Sequence, residues 1–195
     1  MQSDLLLEFQ GPYSWFAAGP VGSILDPPQG KAHGIYLWTV PTESGELVYY
    51  VGETGRQFSI RFREHLVAQL SGMYHVHDPA AFQLGKKSML WPGLYDRSHR
   101  VDLCDFVQRL PELAEPLQKF VNVFHFFIAE IDVHNRLRKR IEGAIADHLI
   151  RQPGIVGSFQ EAGIKYVRRR KDEPSVQIGV RSSKEICGLP ACLEA

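Results

Sequence analysis

The sequence predicts a small α/β (α+β) domain in which a mixed, mainly antiparallel sheet of three core strands is flanked by helices. Two runs rich in Val, Tyr, Trp and Leu, residues 34–40 and 46–52, are separated by turn-forming residues, which is typical of a β-hairpin. A third run, residues 121–131, is nearly continuous in β-branched and aromatic residues and indicates a central strand buried on both faces. Apolar residues at helical spacing follow the hairpin and the third run, and they predict the flanking helices.

The flanking helices are predicted from apolar side chains that recur about every four residues and so fall on one helix face. The first helix follows the hairpin and has its apolar stripe at Phe58, Phe62, Leu66 and Leu70. The second covers residues 133–151 and has its stripe at Leu137, Ile141, Ile145 and Leu149. Between them, residues 102–110 and 112–120 indicate two shorter amphipathic helices.

The composition is that of a globular protein, with 44% hydrophobic and 23% charged residues. No apolar run approaches the roughly 20 residues needed to cross a bilayer, which argues against a membrane partner. The N-terminus lacks the positively charged segment of a secretory signal, and the three cysteines do not suggest a disulfide framework. We therefore expect a cytoplasmic protein.

Four polar residues in and after the hairpin are spaced so that they can share one site. Tyr36 and Tyr50 lie one on each predicted strand. Arg61 and His65 are four residues apart on the following helix and therefore share one of its faces. Taken singly, these residues also fit ordinary roles as strand aromatics and as part of a solvated helix face. Their joint order is what indicates a site.

The order and spacing of these residues resemble the signature of the GIY-YIG nuclease family. Gly34-Ile35-Tyr36 is similar to its first motif, and Tyr50-Val51-Gly52 is similar to its second with Val in place of Ile. Arg61 followed by His65 resembles the arginine of the family helix and the aromatic residue or histidine one turn later. The resemblance covers about residues 33–160 and implies a GIY-YIG-like fold and a metal-dependent DNA endonuclease of restriction, mobile-element or repair type.

The resemblance implies a catalytic role for five residues, Tyr36, Tyr50, Arg61, His65 and Glu142. Phosphodiester hydrolysis needs a deprotonated water and neutralisation of charge on the phosphate oxygens. Arg61 would contact the scissile phosphate, because a guanidinium stays charged and offers a fork of donors. Tyr36 would help to take the proton from water and His65 would accept or relay it. Tyr50 would position the water or the phosphate.

Glu142 is the residue that the resemblance implies as the metal ligand, since it lies on a helix downstream of the third strand. One carboxylate can hold a divalent cation that keeps several waters, as Mg²⁺ prefers. We therefore expect Mg²⁺ or Mn²⁺ as the cofactor. An ion pair between Glu142 and Arg138, one turn apart on the same helix, is the ordinary alternative.

A basic sector between residues 134 and 171 is expected to contact DNA. It holds ten basic and three acidic residues, although the whole chain has a net charge of zero. Such a sector can bind a phosphate backbone, while a solvated helix face with a loose basic loop is the alternative interpretation. The candidate DNA contacts, here and beside the hairpin, are Arg56, Arg63, Arg138, Lys139, Arg168, Arg169 and Arg170.

The chain divides into three parts, of which the middle one carries the resemblance. Residues 1–32 contain Gly-Pro and Pro-Pro pairs and are expected to form an extended N-terminal arm. Residues 33–160 form the nuclease-like domain, and residues 161–195 form a basic C-terminal extension. Within the domain, residues 71–118 are broken by Gly and Pro and are interpreted as an insertion, which either bears on substrate choice or only covers the surface.

The sequence departs from the family pattern at one asparagine. The family usually carries it after the helix that bears the glutamate, whereas both asparagines of this chain, Asn122 and Asn135, precede Glu142. Ser158 and Gln160 are the candidates for its replacement. An endonuclease, a nucleic-acid-binding module that has lost activity and a protein-interaction domain that uses the arm all stay open. A homodimer stays open as well, because cutting both strands with one small site requires two protomers or two visits.

Overall fold

The computed structural model describes residues 4–27, 31–161 and 163–195. These residues form ten strands and five helices. The strands are β1 (Leu5–Ser14), β2 (Gly22–Ser23), β3 (Gly34–Thr42), β4 (Gly45–Thr54), β5 (Val76–His77), β6 (Met89–Trp91), β7 (His125–Glu130), β8 (Gln177–Ser182), β9 (Ile186–Cys187) and β10 (Cys192–Glu194). The helices are α1 (Phe58–Leu70), α2 (Pro79–Gln83), α3 (Leu103–Asn122), α4 (Asn135–Ile150) and α5 (Ile155–Ser158). Residues 1–3 and 28–30 of the expected arm, and residue 162 of the expected extension, lie outside the described residues.

One eight-stranded sheet, curled into a half-barrel, organises the fold, so the predicted small sheet of three core strands is wrong. Its strand order is β10–β8–β1–β7–β3–β4–β9, and β2 pairs with β1 beside this path. The three strands expected from the sequence are β3, β4 and β7, which are antiparallel neighbours. The N-terminal and C-terminal segments extend them, since β1 pairs with β7 and β9 pairs with β4. β5 and β6 form a separate antiparallel pair.

The segment expected as an extended arm contains β1, which lies inside the sheet between β8 and β7. Leu7 and Phe9 of this strand are fully buried, whereas Glu8 between them is exposed. Gly11 and Pro12 fall where the register with β7 shifts, so this pair marks an irregularity in the strand and not its end. Because the partners of β1 lie far away in the sequence, local patterns do not reveal the pairing.

The helix before the third predicted strand runs further than the sequence indicates. A single helix, α3, replaces the two short helices expected there, and it ends at Asn122, so that β7 begins only at His125. It continues through Pro111 and Pro116 because its buried apolar stripe packs on the core, which outweighs local propensity. Within the described residues, neither α3 nor any shorter helix is long and apolar enough to cross a membrane.

Helices cover both faces of β3, which places its alternate side chains in two separate cores. Tyr36 and Trp38 belong to the core that includes residues of α1 and α3. Ile35 and Leu37 belong to the core that includes residues of α4. The two helices predicted to flank the sheet, after the hairpin and over residues 133–151, are therefore confirmed as α1 and α4, and they lie on opposite sides of the motif strands.

An irregularity in β4 turns two adjacent tyrosines to the same side of the sheet. Trp38 is paired with Tyr50 and Thr39 with Val48, so Tyr49 is an extra residue in the register. Tyr49 and Tyr50 consequently both contact the core around Trp38, although neighbours in a regular strand point to opposite faces. This bulge brings two phenol side chains to one face of the sheet, where Tyr50 contacts His65 of α1 and Tyr49 contacts Phe82 of α2.

Candidate active site

Tyr36, His65 and Arg61 form the centre of the candidate active site through direct hydrogen bonds. The Tyr36 hydroxyl lies 2.8 Å from Nε2 of His65, and Nε of Arg61 donates to the same hydroxyl at 3.3 Å. Nδ1 of His65 lies 2.9 Å from the hydroxyl of Tyr74. Tyr36 is fully buried and His65 is nearly so. Packing and polar contacts together therefore fix the array.

Gly52 makes room for the Tyr36 ring across the pair of motif strands. The two residues are directly opposite each other, and a Cβ atom built on Gly52 would lie 2.5 Å from the Tyr36 hydroxyl. Carbon and oxygen atoms do not approach so closely without a bond, so a side chain at this position would displace the ring. The glycine of the second motif thus sets the position of the tyrosine of the first.

Gly52→Ala is expected to lower the free energy of unfolding by about 1–3 kcal/mol, the usual cost of overpacking a core. The matched control is Gly22→Ala in β2, where the added Cβ would lie 3.6 Å from the nearest ring atom of Tyr13. Urea denaturation of both variants checks the expectation. Equal stability of Gly52→Ala and the wild-type protein would show that the Tyr36 ring is not held as described.

Tyr50 and Glu142 extend the array from the end of β4. Tyr50 packs beside Tyr36, with 6.0 Å between the ring centroids, and its pKa is raised to about 12, first by burial and then by the charge of Glu142. The pKa of the Glu142 carboxyl responds to Glu53, directly after the second motif: the charge of Glu53 raises it and the backbone N–H of Glu53 lowers it. Arg61 acts electrostatically on both Tyr50 and Glu142. The structure therefore brings the five implied catalytic residues together.

The surroundings of Glu142 favour its protonated form. Burial, and then the charge of the neighbouring Glu53, raise the pKa of Glu142 to about 7, while Lys139 and Arg61 act in the opposite direction. Glu53 is held by Arg138, whose Nε lies 2.6 Å from Oε2 of Glu53. Arg138 thus forms its ion pair with Glu53 and not, among the described residues, with Glu142.

His65 is kept neutral, so one of its ring nitrogens is available to accept a hydrogen bond. Burial, and then the positive charges of Arg61 and Arg56, lower the pKa of His65 well below its usual value. A neutral imidazole has one donor and one acceptor nitrogen, which suits its contacts with two hydroxyl groups. Burial, and then the neighbouring Tyr50, raise the pKa of Tyr36 well above its usual value, and Arg61 opposes this shift. Tyr36 is thus protonated at rest and has a cation beside it to stabilise its anion.

Glu142 offers the donor chemistry that a magnesium ion requires. Mg²⁺ keeps several of its waters and is held in proteins by one or two carboxylates. A divalent cation would relieve the repulsion between Glu142 and Glu53, which contributes to the raised pKa of Glu142. Within the described ranges, no group of three or more His, Cys, Asp or Glu side chains is placed to hold a metal. A site that offers one or two carboxylates suits an ion that keeps several of its waters.

The side chains predicted to contact DNA differ in how exposed they are. Arg138 is only 6% exposed because of its ion pair with β4, so it does not present itself to a phosphate backbone. Lys139 is half-buried, and its charge acts on the Glu142 carboxyl. Arg56 and Arg168 are also bound by surface carboxylates, which a phosphate would have to displace. The exposed members are Arg56, Arg63, Arg168, Arg169 and Arg170.

Both candidate replacements for the family asparagine make local backbone contacts. Gln160 is 6% exposed, and its Nε2 donates to the carbonyl oxygens of Val48 at 2.7 Å and Val156 at 3.1 Å. The Ser158 hydroxyl is exposed and donates to the carbonyl of Ile155 at 3.5 Å. These contacts attach α5 to β4 and give neither residue a direct role beside Tyr36.

Two residues of the site lie outside the set that the sequence predicts. Tyr74 comes from the insertion and contacts His65, and no periodic pattern or motif marks it. Glu53 directly follows the second motif, so its position in the sequence could have identified it as a site residue. A cavity of about 720 Å³ opens beside Tyr50, Arg61 and His65, and residues of the insertion line much of it.

Comparison of the chain with protein-family models, with curated proteins and with solved structures finds no match. The resemblance to GIY-YIG nucleases therefore rests on the motif residues and on their geometry. The functional proposal depends on the chemistry of the assembled side chains.

Proposed function

We propose that this chain is a metal-dependent DNA endonuclease that hydrolyses phosphodiester bonds. The main support is the array in which Arg61 and His65 both contact the Tyr36 hydroxyl. Glu142 lies close enough for its charge to act on the same group of residues. Together they offer a phenol to activate water, a neutral proton acceptor, a cation for the phosphate and an acid for a metal, which are the functions that such hydrolysis needs.

Tyr36 and His65 would move the proton of the attacking water. The Tyr36 oxygen takes a proton from water while its own proton passes to Nε2 of His65 across their 2.8 Å hydrogen bond. The water oxygen forms the new bond to phosphorus as the bond to the leaving oxygen breaks, and the leaving oxygen takes a proton from solvent. Arg61 stabilises the Tyr36 oxygen and contacts the phosphate with its remaining guanidinium nitrogens.

Glu142 would hold the Mg²⁺ or Mn²⁺ ion that the proposal includes. When bound, the ion supplies neutralisation of charge on the phosphate oxygens. Glu142 is carried by α4, which packs on β4, so its carboxylate lies near Glu53 before the ion binds. Tyr50, whose ring lies beside that of Tyr36, would position the water or the phosphate.

The cleavage rate is expected to rise with pH through about 7, because the pKa of Glu142 is raised to about 7. Below that value the carboxyl carries a proton that competes with the divalent cation. Raising the Mg²⁺ concentration should therefore move the midpoint to lower pH. Initial nicking rates between about pH 5.5 and about pH 8.5 check this. A nicking rate that falls across this pH range, or a pH midpoint that does not change with Mg²⁺ concentration, would contradict the role of Glu142.

Exposed basic side chains and free thiols support the proposed partner and location. Arg169 and Arg170 are exposed in the basic sector, so binding to DNA should weaken as the salt concentration rises. Cys104, Cys187 and Cys192 are free thiols. Free thiols suit a reducing compartment, and we include a cytoplasmic location in the proposal on that ground.

The proposal is tested by incubating the protein with supercoiled plasmid in Mg²⁺ or Mn²⁺, with EDTA as the control, beside a gel-shift measurement. We expect binding in all three conditions and nicking only with metal. Absence of both binding and nicking would instead favour a protein-interaction domain. The ratio of linear to nicked product at rising protein concentration reports whether two protomers act together.

A nucleic-acid-binding module without activity is the second candidate function. The observation that favours it is the position of Gln160 and Ser158, whose polar groups contact local backbone. In this candidate, neither Gln160 nor Ser158 takes the place of the family asparagine. This candidate predicts a gel shift with the same dependence on salt but no metal-dependent nicking.

A further inference from the structure

The cavity of about 720 Å³ beside the candidate active site has the size of a ligand pocket. Tyr50, Arg61 and His65 line one side of it. Much of the remaining lining comes from residues 71–118, the predicted insertion, and from Glu161 after α5. The insertion therefore forms part of a cavity that borders three of the candidate catalytic residues, and does more than cover the surface.

Two tyrosines, Tyr74 and Tyr95, lie in the part of the cavity that the insertion supplies. Tyr74 is held by its hydrogen bond to His65, and its ring centroid lies 5.9 Å from that of Tyr95. Tyr95 is 67% exposed although it is a large aromatic residue. An exposed aromatic ring that lines a cavity is a surface on which a flat ring system can stack.

Carboxyl groups inside the cavity can recognise amino groups. Oε1 of Glu161 lies 3.1 Å from Nδ1 of His75, and Oδ2 of Asp96 lies 3.5 Å from Nε2 of the same ring. Both carboxyl groups line the cavity. Carboxylates accept hydrogen bonds from the exocyclic amino groups of nucleic-acid bases. The cavity thus combines stacking surfaces, acceptors for amino groups and, at its inner side, the guanidinium of Arg61.

We infer that this cavity receives one unstacked base of the DNA substrate, next to the phosphate that is cut. The inference rests on the proposed endonuclease function. Stacking against Tyr95 and hydrogen bonds to Glu161 or Asp96 would hold the base while Arg61 contacts the adjacent phosphate. Taking a base out of a duplex costs free energy, and the cost is smallest where the base is already unpaired. The substrate class is therefore DNA with an unpaired base, such as a bulge or mismatch, in preference to a regular duplex.

The test compares a fluorescein-labelled duplex that carries one bulged adenine with the same duplex fully paired. Fluorescence anisotropy in EDTA measures binding without cleavage. The wild-type protein should bind the bulged duplex about tenfold more tightly, the order that one stacked base supplies. Tyr95→Ala should bind both duplexes with about the affinity of the wild-type protein for the paired one. Phe16→Ala, which removes an exposed aromatic ring outside the cavity lining, should keep the preference.

The two parts of the experiment separate the cavity from the catalytic proposal. Equal binding of both duplexes by the wild-type protein, or an unchanged preference in a folded Tyr95→Ala protein, would overturn the inference. A preference that Tyr95→Ala abolishes supports the inference even if Mg²⁺ produces no cut, in which case only the endonuclease proposal fails. With Mg²⁺ present, cuts should concentrate at the phosphates beside the bulge, and cuts spread evenly along the duplex would overturn it.

Discussion

Glu142→Gln is expected to abolish cleavage while leaving the fold and the affinity for DNA in place. Glutamine keeps the shape of the side chain but lacks the negative charge that would hold a divalent cation. Losing the cation removes several kcal/mol of charge stabilisation in the transition state. The nicking rate in Mg²⁺ should therefore fall at least about 100-fold. Conversion of supercoiled to nicked plasmid at saturating protein measures it.

The stability of Glu142→Gln separates loss of activity from loss of fold. Because the pKa of Glu142 is raised to about 7, the folded chain binds this proton more tightly than the unfolded chain. Ionisation of Glu142 therefore costs stability as the pH rises above the usual pKa of a glutamate. The neutral variant avoids that cost and should resist urea at pH 8 at least as well as the wild-type protein. Glu130→Gln, an exposed carboxyl at the end of β7, is the control and should cut at the wild-type rate.

Tyr36→Phe is expected to reduce the nicking rate by about 10²–10⁴-fold, the usual contribution of a positioned acid or base. The ring should stay in place, since it packs against Phe62 with a centroid distance of 5.1 Å and against Gly52. Only the hydroxyl that joins Arg61 to His65 is lost. Plasmid nicking gives the rate, and urea denaturation checks that the fold survives.

The nicking rate of a double variant at Tyr36 and His65 distinguishes a shared proton transfer from a purely structural role of the two residues. If the two groups pass one proton, either single change already breaks the step, so His65→Gln combined with Tyr36→Phe should be no slower than the slower single variant. Losses that multiply in the double variant would mean that the residues act independently. That outcome would exclude the proton path described for them.

Local elements of this fold could be predicted from the sequence, but the sheet could not. The hairpin and the helices α1 and α4 follow from turn residues and from apolar spacing over a few turns. The sheet is larger than the three strands expected, because β1 and β8–β10 come from the two ends of the chain. Their strands are short or interrupted, and pairing between distant segments leaves no local periodicity. The sheet prediction was therefore wrong because the additional strands pair through long-range contacts that local patterns do not reveal.

The candidate site divides in the same way. Tyr36, Arg61 and Glu142 could be placed from motif order, because the hairpin and two helices determine where they point. The bulge that turns Tyr49 towards Tyr50 depends on register with β3, which a single strand sequence does not specify. Tyr74 and the other residues of the cavity lie in an irregular segment, where neither period nor turn chemistry indicates which side chains face inward. The groups that we infer to choose the substrate were thus the hardest to predict.

The most direct test of the catalytic claim is the rate at which one preparation of wild-type protein nicks supercoiled plasmid at pH 8, with Mg²⁺ and with EDTA. Glu142→Gln is assayed beside it. We expect nicked product only from the wild-type protein and only with Mg²⁺. Nicking that persists in EDTA, or equal rates for the wild-type protein and a folded Glu142→Gln variant, would contradict a metal-dependent site built on Glu142, Tyr36 and Arg61.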